Sequence, residues 1–361
     1  MRSAERLPTD YSRARTEFLQ AATAVGGRIE SLQNPNLGPR GEALYTDTVQ
    51  LGPTEAHRSL LLSSGTHGVE GFIGSGIQTL LLREGLARRL PSGVNLLMIH
   101  AINPWGMAHL RRVNEDNVDL NRNFRNHAEL PPENPHYERL AGVIAPRSLS
   151  IWSETACWSR LLWYRLTAGR TAAQAAVSGG QYSHPDGLFF GGTSETWSGR
   201  TYRTILRRHL SHATEVISVD VHTGLGAFAA VELILNLPEG SPEYQRAVAI
   251  WGPTLVKATV SGASVSAHLD ASLKLAVTRT LPAAIVTAVS LEFGTVPPLA
   301  VFRALRAENW LHFNGGWDNL RAQPIKDRLL RSFHPDSDHW EMLALAKGRA
   351  IVDRALASLA A

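Results

Sequence analysis

Five short apolar runs, set among longer stretches of helical period, constrain this chain more than any other feature. They are residues 59–64 (SLLLSS), 94–102 (VNLLMIHAI), 215–221 (EVISVDV), 231–237 (VELILNL) and 283–293 (AAIVTAVSLEF). Runs this continuous in apolar residues suit strands of a sheet whose two faces are both covered by helices. Between the first two, residues 72–90 place Ile73, Ile77, Leu80 and Leu81 at helical spacing behind a glycine-rich entry, which predicts a strand-loop-helix unit. Residues 299–312, behind Pro297-Pro298, and 338–359, opened by Asp338, also read as helices. The expectation is an α/β fold with a mixed, mainly parallel central sheet flanked by helices.

No repeat and no Pro/Gly/Ser linker divides the chain, so residues 1–361 read as one domain with a loop-rich aromatic insertion at about 125–214. The insertion carries Trp152, Trp158, Trp163 and Trp197 and the stretch SGGQYSHPDGLFFGGTSETWSG. Two readings of it stand side by side: a lid or pocket wall, or a helical insertion whose tryptophans fill a small core of their own.

Composition removes several classes of function. Hydrophobic residues make up 44% and charged residues 19%, which excludes a mainly disordered or fibrous chain. Cys157 is the single cysteine, so a metal must sit on histidines and carboxylates. The 36 Lys+Arg against 32 Asp+Glu leave a net charge of +4, and pairs such as Arg88-Arg89 and Arg207-Arg208 never grow into a basic run. Nucleic acid is therefore not an expected partner. The N-terminal segment lacks the apolar core of a signal peptide, and nowhere do ~18 apolar residues run together. A cytoplasmic protein that stays off membranes is expected; oligomeric state leaves no signature.

The residues able to do chemistry follow the apolar runs. SSGTHGVEGF places His67 and Glu70 in a loop after a strand, where open α/β sheets bind ligands. An imidazole and a carboxylate at that spacing can chelate one divalent ion, or lie solvated on a surface. His222 follows the strand run in VDVHTGLG and reads either as a third ligand or as a satisfied core histidine. Glu292, inside IVTAVSLEFGT, is either an edge-strand residue facing water or a buried general base with a raised pKa. Residues 103–124 (NPWGMAHLRRVNEDNVDLNRNF) hold three arginines and five asparagines, which suggests a site for anionic groups.

Taken in order, His67-x-x-Glu70, the NPWG at 103–106, Arg112 ahead of the Asp119 that opens DLNRNF, His222 and Glu292 resemble the constellation of the zinc carboxypeptidases of the carboxypeptidase A superfamily. The contexts SGTHGVEG, RRVNEDNVDLNRNF, DVHTGLG, GQYSHPDGLFFGG and LEFGT look closer still to an uncharacterised carboxypeptidase-like branch. That branch is catalogued as a domain of unknown function and is related to the succinylglutamate desuccinylase and aspartoacylase deacylases. The resemblance covers most of the chain and implies a zinc carboxypeptidase-like fold with one zinc held by His67, Glu70 and His222. It further implies Glu292 as general base, Arg112 as the oxyanion-stabilising arginine, Asn121 and Arg122 as binders of the substrate carboxylate, and Asp119 as acceptor for a ligand histidine. The partner implied is a small-molecule or short-peptide substrate that bears a carboxylate.

Departures from the family pattern are equally informative. Digestive carboxypeptidases carry a mobile tyrosine a couple of dozen residues before the general base, whereas no tyrosine lies between Tyr244 and Glu292. The insertion at 125–214 has no counterpart in those enzymes, and Arg111 rivals Arg112 for the oxyanion role. A serine hydrolase would need a G-x-S-x-G elbow, which is absent, and the glycines of GTHGVEGFIGSG miss the dinucleotide register. Two hydrolytic activities stay open, a carboxypeptidase and an N-acyl amino acid deacylase, beside a binding protein that retains metal without turnover.

Overall fold

The computed structural model describes residues 6–260 and 271–360. Eight strands form one sheet: β1 (Arg28–Leu37), β2 (Ala43–Leu51), β3 (Arg58–Ser64), β4 (Val94–His100), β5 (Glu215–Thr223), β6 (Val231–Leu235), β7 (Val256–Ala258) and β8 (Ile285–Phe293). Their spatial order is β1-β2-β4-β3-β5-β8-β6-β7. The centre, β4-β3-β5-β8, is parallel throughout. Antiparallel pairings join β1 to β2, β2 to β4 and β6 to β8. The expected mixed, mainly parallel sheet is the one found.

Why the central strands read as unbroken apolar runs is visible in their surroundings. Every residue of β4 is buried, as is every residue of β3, β5 and β8 except the first. On one face Leu60, Leu62, Val219 and Val289 pack with Phe18, Ile77, Trp340 and Ile351 from the helices Tyr11–Ala24, Gly71–Arg83 and Asp338–Ala360. On the other, Leu61, Leu97 and Val216 pack with Tyr202, Leu206 and Val277 from the helices Trp197–Leu210 and Leu273–Thr280. Each such aliphatic side chain taken out of water contributes about 1.5–3 kcal/mol. The parallel centre also sends the carboxyl ends of β3, β5 and β8 to one edge, which positions the site.

The insertion differs from the loop-rich expectation. It contains the helices Pro135–Ile144, Ile151–Ala168, Arg170–Ser178 and Trp197–Leu210. Asn134, Ser150 and Thr196 accept backbone N–H groups as N-caps for three of them. Nor do its tryptophans fill a private core, since Trp152 and Trp163 are 83% and 64% exposed. Tyr137, Leu140, Ile144 and Tyr164 instead share one cluster with Val301, Phe302, Leu305 and Phe333, from the helices Pro298–His312 and Ala322–Phe333. Among the described residues, no helix is long and apolar enough to cross a membrane.

Candidate metal centre

The loop after β3 is folded by its glycines. Gly65 turns the chain with φ +71°, where a Cβ would also press to 3.0 Å on Ala101 Cα. Gly68 lies so close to the NPWG turn that a Cβ would fall 2.0 Å from the Gly106 carbonyl carbon. Gly68 and Val69 N–H donate to the carbonyls of Arg112 (3.2 Å) and Arg111 (2.9 Å), so the His67–Glu70 turn is fastened to the arginine segment.

His222 comes from the end of β5, in register with Glu292 on β8. His67, Glu70 and His222 are all buried, and one ligand atom from each lies within 4.8 Å of the others. Both imidazoles are held from behind. His67 Nε2 is 3.1 Å from Asp119 Oδ1, and His222 Nε2 is 2.5 Å from Asp220 Oδ2. Each Nδ1 thereby turns to Glu70: that of His67 lies 3.1 Å from Oε1 and that of His222 lies 3.2 Å from Oε2. His67 Nδ1 is a buried nitrogen with no hydrogen bond among the described residues. An orphaned imidazole nitrogen, a second imidazole and a carboxylate converging on one point are the donor set a divalent ion takes, and the residues fit it.

Asp119 sits at a hub. Its carboxylate accepts from Asn121 N–H at 3.0 Å, Arg112 Nε at 3.3 Å and Arg122 Nη1 at 3.4 Å, besides facing His67. Burial alone would raise its pKa; the charges of Arg122, Arg112 and His67 outweigh that and hold it well below the usual carboxylate range. Glu70 follows the same logic, pushed up by burial but carried far down by His67 and Arg112. His222 is raised to about 10, because Asp220 and Glu70 overcome the burial that would lower it. Glu292 moves the other way: burial and the nearby charge of Glu70 raise it despite His222, the Leu225 N–H and Arg112.

The two arginines separate cleanly. Arg111 is buried away from the centre, paired with Glu308 at 2.8 Å and bonded to Asn117 at 2.9 Å. Arg112 reaches the centre, donating to Glu70 and lying 3.0 Å from His67 Nε2. Asn121 Oδ1 accepts the Leu273 N–H at 2.9 Å, and the residue lines the cavity. Arg122 lines the same cavity while its Nη2 donates to the Ser178 carbonyl at 2.7 Å, so it also ties the insertion to the Asp119 hub.

Two residues of this site were not singled out from sequence. Asp220, which also accepts from Ser63 at 2.7 Å and from Thr66 at 2.9 Å, had a signal: Asp-x-His on a strand puts both side chains on one face. Lys274 had none. Its Nζ donates to Ser290 Oγ at 2.9 Å beside the cavity, and burial draws its pKa down to about 8.

A family model described as "Protein of unknown function (DUF2817)" matches residues 8–347. The chain belongs to the DUF2817 family. Among solved structures it is similar to carboxypeptidase A from Helicoverpa armigera, at 13% identity and TM-score 0.50, covering 97% of this chain and 76% of that one. It is also similar to the succinylglutamate desuccinylase from Chromobacterium violaceum, at 15% identity and TM-score 0.39 over 92% and 76% of the two chains. An aspartoacylase family protein from Mesorhizobium loti matches at 15% identity and TM-score 0.40, over 79% and 66%. No curated protein matches the chain in sequence. The carboxypeptidase-like branch expected from the ordered motifs is the family found, and the carboxypeptidase A likeness shows the fold.

Proposed function

We propose that this chain is a zinc-dependent hydrolase that cleaves an amide or peptide bond next to a free carboxylate, in the manner of a metallocarboxypeptidase. The observation that carries the reading is the placing of Glu292 beside His222 on adjacent parallel strands, both lining the cavity of the His67-Glu70-His222 group. A zinc ion held by those three residues supplies Lewis acidity toward a water molecule and a carbonyl oxygen.

The remaining work falls to the chain's own side chains. Glu292 Oε1 is fixed by the Leu225 N–H at 3.0 Å, and its carboxylate lines the cavity, where it would take a proton from the attacking water and return it to the leaving nitrogen. Arg112 donates to the substrate oxygen on which negative charge develops. Asn121 and Arg122 hold the substrate carboxylate, Arg122 offering a charge-assisted bond from an orientation set by Asp119 and Ser178. A protein that only retained metal would not need Glu292, which is not one of the three candidate ligands.

Elemental analysis together with a paired substrate assay tests the reading. We expect one zinc per chain, lost in His222→Ala, and cleavage of carboxylate substrates at least ~10-fold faster than of their carboxamide analogues. Undiminished zinc in His222→Ala, or indifference to the carboxylate, overturns it.

A further inference from the structure

The cavity at the metal centre has a volume of about 750 Å³ and two kinds of wall. One wall is polar and local to the helix Leu273–Thr280: Asn121 is bonded to the Leu273 N–H, and Lys274 to Ser290. The other is hydrocarbon except for Arg165 and Ser178, which the insertion also contributes. It is built by Leu161, Ala173 and Val177 from the insertion and by Leu299, Phe302 and Leu305 from the helix Pro298–His312.

These two helical bodies share one apolar cluster, so the wall is continuous. Leu161, Phe302 and Leu305 lie inside helices, where N–H and C=O groups are spent along the helix axis. Away from Arg165 and Ser178, the wall therefore offers a ligand neither side-chain nor helical backbone partners. A peptide laid against it would leave its amides unpaired, at a cost that a bare hydrocarbon chain does not incur. At the rim Leu299 still lines the cavity while 49% exposed, so the apolar surface continues to the opening.

We infer that the substrate is an N-acyl amino acid with a medium or long hydrocarbon chain, its amino acid carboxylate at Asn121 and Arg122 and its acyl chain along the insertion wall. This rests on the hydrolase reading above and selects between the peptide and N-acyl substrates that the sequence left open. It also gives the insertion a role, because without the helices Ile151–Ala168 and Arg170–Ser178 the hydrocarbon wall loses one side.

The test is a series of N-acyl-glycines and N-acyl-glutamates, from acetyl to dodecanoyl, kept below their micelle concentrations and compared with acetylated peptides of similar length. Turnover is measured on zinc-loaded protein and equilibrium binding on the same preparation by calorimetry. Catalytic efficiency should rise about three- to fourfold per methylene over the first several carbons, as burial of each CH₂ predicts, and exceed that of the peptides. In Leu161→Glu, and separately in Val177→Glu, the dodecanoyl-to-acetyl ratio of efficiencies should fall at least ~10-fold; the ratio reads the wall independently of how much protein is folded. Turnover with a flat chain-length profile, faster cleavage of peptides, or a ratio unmoved in both variants overturns the inference while leaving the hydrolase standing. Chain-length-dependent binding without any turnover overturns the hydrolase reading and leaves only a binding site for acyl chains along the wall, and absence of both binding and turnover removes both.

Discussion

Asp119 and Asp220 perform the same task from different parts of the chain, each gripping the Nε2 of one histidine so that its Nδ1 faces Glu70. Carboxylates in this position fix the tautomer and the basicity of a metal ligand, and their loss weakens metal binding by about 10- to 100-fold. Asp220→Asn should show that loss in a competition titration with a chelating dye, and an affinity equal to wild type would mean Asp220 only braces Ser63 and Thr66. Glu292→Gln should keep the metal and the fold but lower turnover by at least ~100-fold, since an amide cannot accept the proton; activity within a few fold of wild type would make Glu292 structural. Arg122→Ala should reduce efficiency on carboxylate substrates by about 10- to 150-fold and on carboxamides little. Its bond to Asp119 adds a second readout, for if that bond is its whole purpose both substrates suffer alike and the melting temperature falls. At this scale the three candidate ligands and Glu292 were legible because His and Glu at the ends of apolar runs are few. The choice of Arg112 over Arg111 was not, because two adjacent arginines differ only in which way the folded turn points them.

Elements set these side chains, and the tightest constraint lies between two turns distant in sequence. Gly68 and Gly106 approach so closely that neither turn tolerates a Cβ at residue 68, and through that contact Glu70 is brought to Arg112. Gly68→Ala should destabilise the fold by about 1–3 kcal/mol, the usual scale for overpacking, and should release metal as the turn moves. Thermal melting with and without zinc checks it; an unchanged metal affinity would show that the turn is free to shift without carrying His67 and Glu70 with it. The strands of the centre were legible because burial on both faces leaves only apolar residues in them. β1 is exposed at most positions and carries Asn34, Pro35 and Asn36, so its pairing with β2 has no periodic trace. The insertion helix Ile151–Ala168 was hidden for a different reason: its Ile151, Trp152, Trp163 and Leu166 face water, which scatters apolar residues around the helix and erases the amphipathic stripe.

Across the whole molecule, the metal position exists only when β3, β5 and their loops are assembled, because Glu70 and His222 are 152 residues apart in sequence. An ion that binds the native state alone stabilises it by mass action, about 2.7 kcal/mol at a hundredfold excess over Kd. The pH dependence of that stabilisation has a definite sign. Without metal, His222 carries a proton held by Asp220 and Glu70, with its pKa raised to about 10 against 6.5 for an unperturbed histidine. A raised pKa stabilises the metal-free fold fully below the unfolded value, and that contribution fades as pH rises from about 6.5 through about 10. A metal ligand must be neutral, so the loaded protein has already released this proton and does not lose the same increment. The gap between loaded and metal-free stability should therefore widen by up to about 1.4 kcal/mol per pH unit across that window, equivalent to about a tenfold gain in apparent affinity for each unit. Melting curves of zinc-loaded and chelator-treated protein at a series of pH values between 6.5 and 9 measure this directly. A gap that stays constant or narrows with rising pH would mean that His222 is not a ligand that must shed its proton, and would take the metal centre away from the end of β5.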